Sequence, residues 1–156
     1  MTDPNNAPLS YTVRRATSDD AEIIIEYNAR LAFETENMIL DRAVLLPGVR
    51  TALSDEKIAR YYVAVNETGD VIGQTMVTYE WSDWRNGTLW WFQSVYVRED
   101  ARGKGIFRAL FERVVEEGKR EGAVGFRLYA VAENEVALST YKRLGMERTH
   151  YIVLEI

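Results

Sequence analysis

The stretch that decides the fold runs from Val95 to Leu110 and reads Val-Tyr-Val-Arg-Glu-Asp-Ala-Arg-Gly-Lys-Gly-Ile-Phe-Arg-Ala-Leu. An apolar, strand-like run ends in a short charged turn, and a glycine-rich segment then leads into an amphipathic helix pattern. Glycines let the backbone approach a phosphate closely, and the free N–H groups and dipole of a helix N-terminus favour negative charge. The stretch therefore predicts a cradle for a phosphate-bearing ligand, and Arg102 and Lys104 add positive charge beside it.

Two common nucleotide-binding motifs do not fit this cradle. A P-loop requires Ser or Thr directly after its lysine, whereas Lys104 is followed by Gly105. A dinucleotide fingerprint that starts at Gly103 requires a third glycine five residues later, where the chain has Arg108. The ligand is therefore expected to carry phosphates but to be bound by a different motif.

The cradle resembles motif A of the GCN5-related N-acetyltransferases (GNAT), which reads Gln/Arg-x-x-Gly-x-Gly/Ala. Arg102 and Gly105 match this pattern in type and spacing, and Phe107 stands where the family has a small residue. The side chain of Phe107 is expected to belong to the apolar stripe of the following helix. In that orientation its backbone amide stays available to a phosphate.

A second segment supports the same resemblance. Residues 134–146 read Asn-Glu-Val-Ala-Leu-Ser-Thr-Tyr-Lys-Arg-Leu-Gly-Met and are similar to motif B of the family, Asn-x-x-Ala-x-x-x-Tyr-x-x-x-Gly-Phe. Met146 replaces the final Phe of that motif. The resemblance extends from about Ile72 to Met146 and is weak before Tyr61.

Composition limits the class of protein. With 156 residues, 47% of them hydrophobic and 28% charged, the chain is expected to form one domain over residues 11–156, after a disordered tail at residues 1–10. A net charge of −5 argues against a nucleic-acid partner, and no apolar run is long enough to span a membrane. The absence of cysteine excludes disulfides, thiolate metal sites and a cysteine nucleophile. We expect a cytoplasmic protein without a bound metal.

The hydrophobic pattern predicts a mixed-sheet α/β domain. Strands are predicted over residues 11–16, 61–65, 71–81, 88–97, 126–131 and 151–156, and helices over residues 18–32, 134–144 and the stretch that follows the cradle. Residues 33–59 remain ambiguous, because a helical pattern there is interrupted by Pro47-Gly48. The resemblance implies the GNAT fold: a mixed, mostly antiparallel central sheet flanked by helices, whose splayed middle strands hold the cofactor arm between them.

The resemblance also implies acetyl-CoA as co-substrate. Its pyrophosphate would lie on the backbone N–H groups of five consecutive residues, Gly103, Lys104, Gly105, Ile106 and Phe107. The pantetheine arm would pair with the backbone of the preceding strand at Val95, Tyr96 and Val97, as an added strand would.

The helix of the second segment is expected to supply the leaving-group chemistry. Asn134 and Tyr141 are seven residues apart and therefore lie on nearly the same helix face. The resemblance implies that Asn134 binds the cofactor arm and that Tyr141, beside the thioester sulfur, protonates the departing thiolate. The structural alternatives are an N-cap for Asn134 and a packed aromatic ring for Tyr141.

The group that accepts a proton from the attacking amine is less well defined. A primary amine with a pKa of about 10.4 is mostly protonated at neutral pH, so a base or solvent must remove a proton. The central strand offers Trp91 and Gln93, which are not bases. Glu34 and Glu80 are the candidate bases, and a purely surface role is the alternative for each.

The acceptor site is predicted from aromatic and acidic residues. Trp81 and Trp84 lie in a segment between two strands, where their rings could close over a cationic amine or simply cover the sheet. Together with Glu34 and Gln93 they are the predicted substrate-binding residues. The local acidity favours a small, basic acceptor.

Three hypotheses remain at this point. The first is an acetyl-CoA-dependent N-acetyltransferase that transfers the acetyl group directly to the primary amine of a small molecule. The second is a non-catalytic module of the same fold that senses acyl-CoA, and the third is a structural or protein-interaction domain. The resemblance leaves a homodimer open.

Overall fold

The computed structural model describes residues 9–156 and contains one five-stranded sheet in the order β1-β2-β3-β4-β5. The strands are β1 (Tyr11–Arg15), β2 (Arg60–Asn66), β3 (Val71–Ser82), β4 (Gly87–Val97) and β5 (Gly125–Leu128). Neighbouring strands are antiparallel except β4 and β5, which are parallel. The predicted mixed, mostly antiparallel sheet is confirmed. The predicted disordered tail lies largely outside the described residues.

Helices cover both faces of this sheet. They are α1 (Ala21–Glu36), α2 (Arg42–Ser54), α3 (Ile106–Arg120) and α4 (Glu135–Arg143). Helices α1 and α2 bury Ile24, Tyr27 and Val49 against one side of the sheet, which we call the α1 face. Helix α3 buries Leu110 and Val114 against the other side, the α3 face. None of the helices in residues 9–156 is long and apolar enough to cross a membrane.

The ambiguous segment after α1 is a helix despite its proline. Helix α1 continues to Glu36, beyond its predicted end, and Asn37 ends it in the left-handed conformation with a φ of 51°. Asp41 then caps α2, because its side chain accepts a hydrogen bond from the Ala43 amide at 2.8 Å. Pro47 lies inside α2, whose Val49 is buried in the core. Tertiary packing therefore outweighs the local cost of the proline.

The prediction of a final strand at residues 151–156 is wrong. This segment has no regular structure, and its apolar side chains are exposed, including Ile152 at 81% and Leu154 at 85%. A strand needs a backbone partner as well as a suitable side-chain pattern. Within residues 9–156, the outer edge of β5 pairs with no other strand.

Candidate active site

The predicted cradle connects the end of β4 to the start of α3. Gly103 and Gly105 adopt φ angles of 73° and 80°, a left-handed conformation that glycine tolerates without strain. Gly105 is the N-cap of α3, and its carbonyl accepts a hydrogen bond from the Tyr11 hydroxyl at 3.3 Å. The amide groups that open α3 have no partner within the helix. The segment thus presents a row of N–H donors suited to an anion.

The two cationic side chains of the cradle fold back onto the protein. Lys104 donates to the carbonyl of Asp100 at 2.9 Å, and Arg102 donates through Nε to the carbonyl of Val97 at 2.9 Å. Arg102 also pairs with the Glu34 carboxylate at 2.6 Å, and the Tyr96 hydroxyl donates to the other oxygen of Glu34 at 3.1 Å. Glu34, at the end of α1, is therefore bound through both oxygens and fastens α1 to the cradle.

A gap opens in the sheet where the cradle begins. Strands β4 and β5 pair only from Leu89 to Phe92 on β4, opposite Gly125 to Leu128 on β5. Beyond Phe92 the strands diverge. Gln93, Tyr96 and Val97 keep their pairing with β3, but no strand of the described chain pairs with residues 93–97 on the β5 side. A short 3₁₀ helix at residues 99–101 connects this open edge to the cradle. An extended ligand could pair with the open edge as an added strand.

A β-bulge lies at the start of the open edge. Gln74 pairs with Tyr96 and Met76 pairs with Gln93, so one residue of β3 stands opposite two residues of β4. Ser94 in the bulge has a φ of 50°, which costs about 1–3 kcal/mol for a residue other than glycine. A bulge leaves backbone groups of its strand unpaired. Here these groups lie where the strands separate.

Buried polar side chains hold the bulge in place. Gln74, which is fully buried, donates through Nε2 to the Ser94 carbonyl at 3.3 Å and to Asn28 Oδ1 at 2.8 Å. Asn28 in turn donates to the Tyr61 hydroxyl at 3.0 Å. Thr75, also fully buried, donates to the Gln93 carbonyl at 3.1 Å. These hydrogen bonds offset the strain at Ser94 and fix the direction of the backbone at the gap.

Helix α4 stands beside the cradle. The Tyr141 ring packs edge-on against Phe107 of α3, with ring centroids 5.6 Å apart. Phe107 also contacts Phe111, at 6.1 Å between centroids, so it continues the stripe of α3 and at the same time supports Tyr141. Burial raises the pKa of the Tyr141 phenol, which keeps it protonated at neutral pH. Asn134 is the N-cap of α4, because its Oδ1 accepts from the Ala137 amide at 3.1 Å.

The α1 face of β3 and β4 carries a polar and aromatic patch at the end of the sheet away from α1. Glu80 accepts a hydrogen bond from the Trp91 indole N–H at 2.6 Å, and Tyr129 stacks on the Trp91 ring with centroids 4.5 Å apart. Gln93, next to the bulge, donates to the hydroxyl of Thr78. We call these five residues the acceptor face.

The structure does not place the predicted tryptophans on the acceptor face. Strand β3 continues to Ser82, so its side chains alternate and Trp81 lies on the α3 face, opposite to Glu80. Trp84 is 90% exposed in the following turn. Glu34 contacts Tyr96 at the far end of β4, on the other side of the bulge from Glu80.

Sequence reasoning missed several residues of the site. Tyr129 and Arg127 on the β5 side, Thr78 on β3 and the bulge network around Gln74 were not predicted. The sequence contained a signal for Arg127 and Tyr129, because side chains alternate between the two faces of a strand and these two residues therefore share a face. The structure adds the register, which places Arg127 beside Trp91. The bulge had no such signal, because its hydrogen bonds join residues distant in sequence.

Comparison with known proteins identifies the family. The model of the acetyltransferase (GNAT) family matches residues 25–146, and the chain belongs to this family. The crystal structure of a possible acetyltransferase from Clostridium difficile 630 is similar to this chain, with a TM-score of 0.86 and 43% sequence identity. The similar region covers 94% of this chain and 96% of the Clostridium difficile chain. A predicted acetyltransferase with acetyl-CoA from Clostridium acetobutylicum shares the fold at 18% identity, with a TM-score of 0.77 over 94% of this chain and 96% of its own.

Curated relatives match shorter parts of the chain. The L-methionine sulfoximine/L-methionine sulfone acetyltransferase of Pseudomonas aeruginosa is 31% identical over 90 residues, which are 54% of this chain and 49% of that protein. The chain thus spans about half the length of this relative, and only 26% of an uncharacterized N-acetyltransferase of Methanocaldococcus jannaschii. The family and fold follow from these comparisons, whereas the acceptor does not.

Proposed function

We propose that the protein transfers an acetyl group from acetyl-CoA directly to the primary amine of a small molecule. The observation that carries this proposal is that two binding features follow each other closely along the chain. The open edge of β4 at residues 93–97 is followed, after one short 3₁₀ helix at residues 99–101, by the row of amides from Gly103 to Phe107. Such a combination fits a ligand with an extended amide arm and a pyrophosphate.

The cofactor would be bound mainly by backbone groups. Amides of Gly103, Lys104, Gly105, Ile106 and Phe107 would hold the pyrophosphate, and the backbone of Val95, Tyr96 and Val97 would pair with the arm. Asn134 uses its Oδ1 as a cap, which leaves its NH2 group to donate to the arm. Arg102 would keep the cradle attached to α1 through Glu34.

The transfer requires two proton movements. As the amine nitrogen bonds to the thioester carbon, the C–S bond breaks and the sulfur takes a proton from the Tyr141 hydroxyl. The nitrogen attacks as the neutral amine, after its ammonium form has lost one proton to solvent. During the transfer it gives up one further proton to a base, for which Glu80 is preferred over Glu34. Both oxygens of Glu34 are engaged, whereas Glu80 Oε1 accepts no hydrogen bond within residues 9–156. Solvent restores Tyr141 and Glu80 afterwards.

The acceptor would lie on the acceptor face. Gln93 and Glu80 are held by Thr78 and Trp91, and the bulge at Ser94 brings unpaired backbone groups close to them. Such N–H groups can polarise the thioester carbonyl in the transition state. Trp81 and Trp84 are left out, since they do not reach this face. The Pseudomonas aeruginosa relative, by its name, also acetylates small molecules.

Gly105→Glu tests the cradle. The variant places a carboxylate beside the pyrophosphate, and a like charge about 5 Å away costs on the order of 3 kcal/mol at an effective dielectric near 20. Calorimetric titration with acetyl-CoA should therefore show affinity reduced by about a hundred-fold or more. Gly122→Glu is the matched control, because Gly122 has a similar φ of 85° in open space, just beyond the end of α3 that is opposite to the cradle.

The outcomes separate the two functional hypotheses. Affinity retained in Gly105→Glu would contradict the cradle. Tight acetyl-CoA binding by the wild type without release of free thiol for any amine would contradict acetyl transfer and leave a module that senses acyl-CoA. The protein has no cysteine and therefore contributes no thiol of its own to this assay.

We infer that the exposed apolar segment Tyr151–Ile156 is buried between two copies of the chain. Its Ile152 and Leu154 are exposed in the single chain, an arrangement that isolated soluble proteins rarely maintain. Sedimentation velocity should show a dimer for the wild type and a monomer for the double variant Ile152→Lys with Leu154→Lys. His150→Lys, just outside the segment, should remain dimeric. A wild-type monomer at micromolar concentration would contradict this inference.

A further inference from the structure

A cation, Arg127, contacts the acceptor face described above. It lies in β5 beside Trp91 of β4, and its guanidinium carbon is 5.7 Å from the centroid of the Trp91 ring. Its Nη1 is 3.9 Å from Glu80 Oε2, which is too long for a hydrogen bond. The side chain is 26% exposed. Within residues 9–156 its guanidinium donates no hydrogen bond to another residue.

The other half-buried arginines of the protein are used differently. Arg60, which is 14% exposed, donates to Glu121 at 2.7 Å and to Glu117 at 3.4 Å. Arg14 forms a two-pronged pair with Asp20 at 2.7 and 2.9 Å. Both arginines are therefore paired with carboxylates of the chain at hydrogen-bond distance. The guanidinium N–H donors of Arg127, which have no hydrogen-bond acceptor within residues 9–156, are available to a bound ligand.

We propose that Arg127 and Glu80 together recognise the two charged groups of an α-amino acid, so that the acceptor is an amino acid acetylated on its α-amine. Arg127 binds the carboxylate through two parallel N–H donors, the geometry in which guanidinium binds carboxylates best. Glu80 accepts from the amine and takes its proton during transfer. This inference rests on the proposed function and specifies its acceptor.

The arrangement of charges matches this ligand. The amine and the carboxylate of an α-amino acid are attached to the same carbon, so they require an anion and a cation close together in the protein. Glu80 and Arg127 meet this requirement at 3.9 Å, and the indole N–H of Trp91 fixes the orientation of Glu80. The stacked rings of Trp91 and Tyr129 provide an apolar wall for a side chain.

The same charges disfavour purely cationic acceptors. A polyamine or an amino sugar with several ammonium groups would bring a second positive charge towards the guanidinium of Arg127. An ammonium group and a guanidinium group that are in contact on a partly buried surface repel each other strongly. The sequence predicts an acidic acceptor site, but in the structure the positive charge of Arg127 lies next to the candidate base Glu80.

Matched pairs of acceptors test the proposal. Thiol release from acetyl-CoA would be measured with each standard L-amino acid and with the amine that lacks only its carboxylate, for example L-leucine with 3-methylbutylamine and L-phenylalanine with 2-phenylethylamine. For the best pair, kcat/KM should be about ten- to a hundred-fold higher for the amino acid, the effect expected of hydrogen bonds to a charged group. Spermidine is included as a polycationic acceptor.

The variant Arg127→Gln shows whether this residue carries the preference. It should lower kcat/KM for the amino acid about ten-fold or more and change that for the matched amine by less than about three-fold, because the amine makes no contact that is lost. Arg120→Gln, at the exposed end of α3, is the control with the same change of charge and should alter neither. Calorimetry should show unchanged affinity for acetyl-CoA in both variants.

The acceptor screen and the Arg127→Gln variant can each contradict the amino acid assignment in a distinct way. A preference for spermidine or for the carboxylate-free amines would overturn the amino acid assignment while leaving acetyl transfer intact. A preference for amino acids that survives in Arg127→Gln would overturn the role of Arg127. Bound acetyl-CoA with no thiol released for any acceptor would instead refute the proposed function, and the amino acid assignment with it.

Discussion

Tyr141→Phe should lower kcat by about 100- to 10,000-fold, the usual contribution of a positioned general acid or base. The substitution removes the proton that the departing thiolate needs and keeps the aromatic ring. Because the ring retains its edge-on contact with Phe107, the position of α4 should not change. Affinity for acetyl-CoA, measured by calorimetry, should therefore stay within about three-fold of the wild type.

The pH profile provides a second readout for Tyr141. Burial raises the pKa of the phenol above its ordinary value of 10.0, so the acid form needed for proton donation persists throughout the neutral range. Wild-type kcat should fall on this account only above pH 10, and Tyr141→Phe should lack that alkaline decline. Tyr79→Phe is the control, because the Tyr79 hydroxyl is buried and has no hydrogen-bond partner among residues 9–156. Unchanged turnover in Tyr141→Phe would remove this residue from the acid role.

The elements that the sequence predicts best are those determined by nearby residues. Gly103 and Gly105 lie at left-handed positions directly before a strongly amphipathic helix, so the cradle can be inferred from a few consecutive residues. Asn134 likewise caps α4 through a residue only three positions away. Local backbone conformation and helix ends need no knowledge of the tertiary structure.

The elements that were missed depend on partners distant in sequence. The bulge at Ser94 is held by Gln74, twenty residues away, and by Asn28 on a helix. Residues 151–156 have the composition of a strand and yet find no backbone partner within the described chain. Trp81 lies within the predicted strand, but the sequence alone does not say which of the two sheet faces holds the polar patch, and the alternation along β3 puts Trp81 on the face opposite to Glu80.

Glu117→Gln should be among the most destabilising single changes away from the active site. Glu117 of α3 is 2% exposed and accepts hydrogen bonds from the Tyr62 hydroxyl at 2.8 Å and from Arg15 Nε at 2.7 Å. Arg60 Nη1 lies 3.4 Å from Glu117 Oε1, and Arg113 Nε lies 3.3 Å from Glu117 Oε2. Removal of this buried carboxylate leaves three guanidinium groups around a neutral amide, and Arg15 and Arg60 then keep only their pairs with the more exposed Glu56 and Glu121.

The expected loss of unfolding free energy is about 3 kcal/mol, the lower end of the range for breaking a buried ion pair. The lower end applies because Arg15 and Arg113 are 37% and 39% exposed and can recover part of their hydration. For a chain of this size, such a loss lowers the melting temperature by roughly 6–12 °C. Glu112→Gln removes a fully solvated pair with Arg108 on the same helix and should cost less than about 0.5 kcal/mol.

Acidification should reduce the difference in stability between the wild type and Glu117→Gln. Burial alone would raise the pKa of Glu117, but the hydrogen bonds from Tyr62 and Arg15 outweigh it and hold the pKa below its ordinary value of 4.5. A carboxyl group with a lowered pKa in the folded state stabilises the protein fully above pH 4.5. That contribution is lost as the pH falls through the lowered pKa. Urea unfolding at pH 7 and at pH 3 should therefore show a large difference between the two proteins at pH 7 and a smaller one at pH 3, whereas a difference independent of pH would mean that Glu117 stabilises the fold by packing rather than by charge.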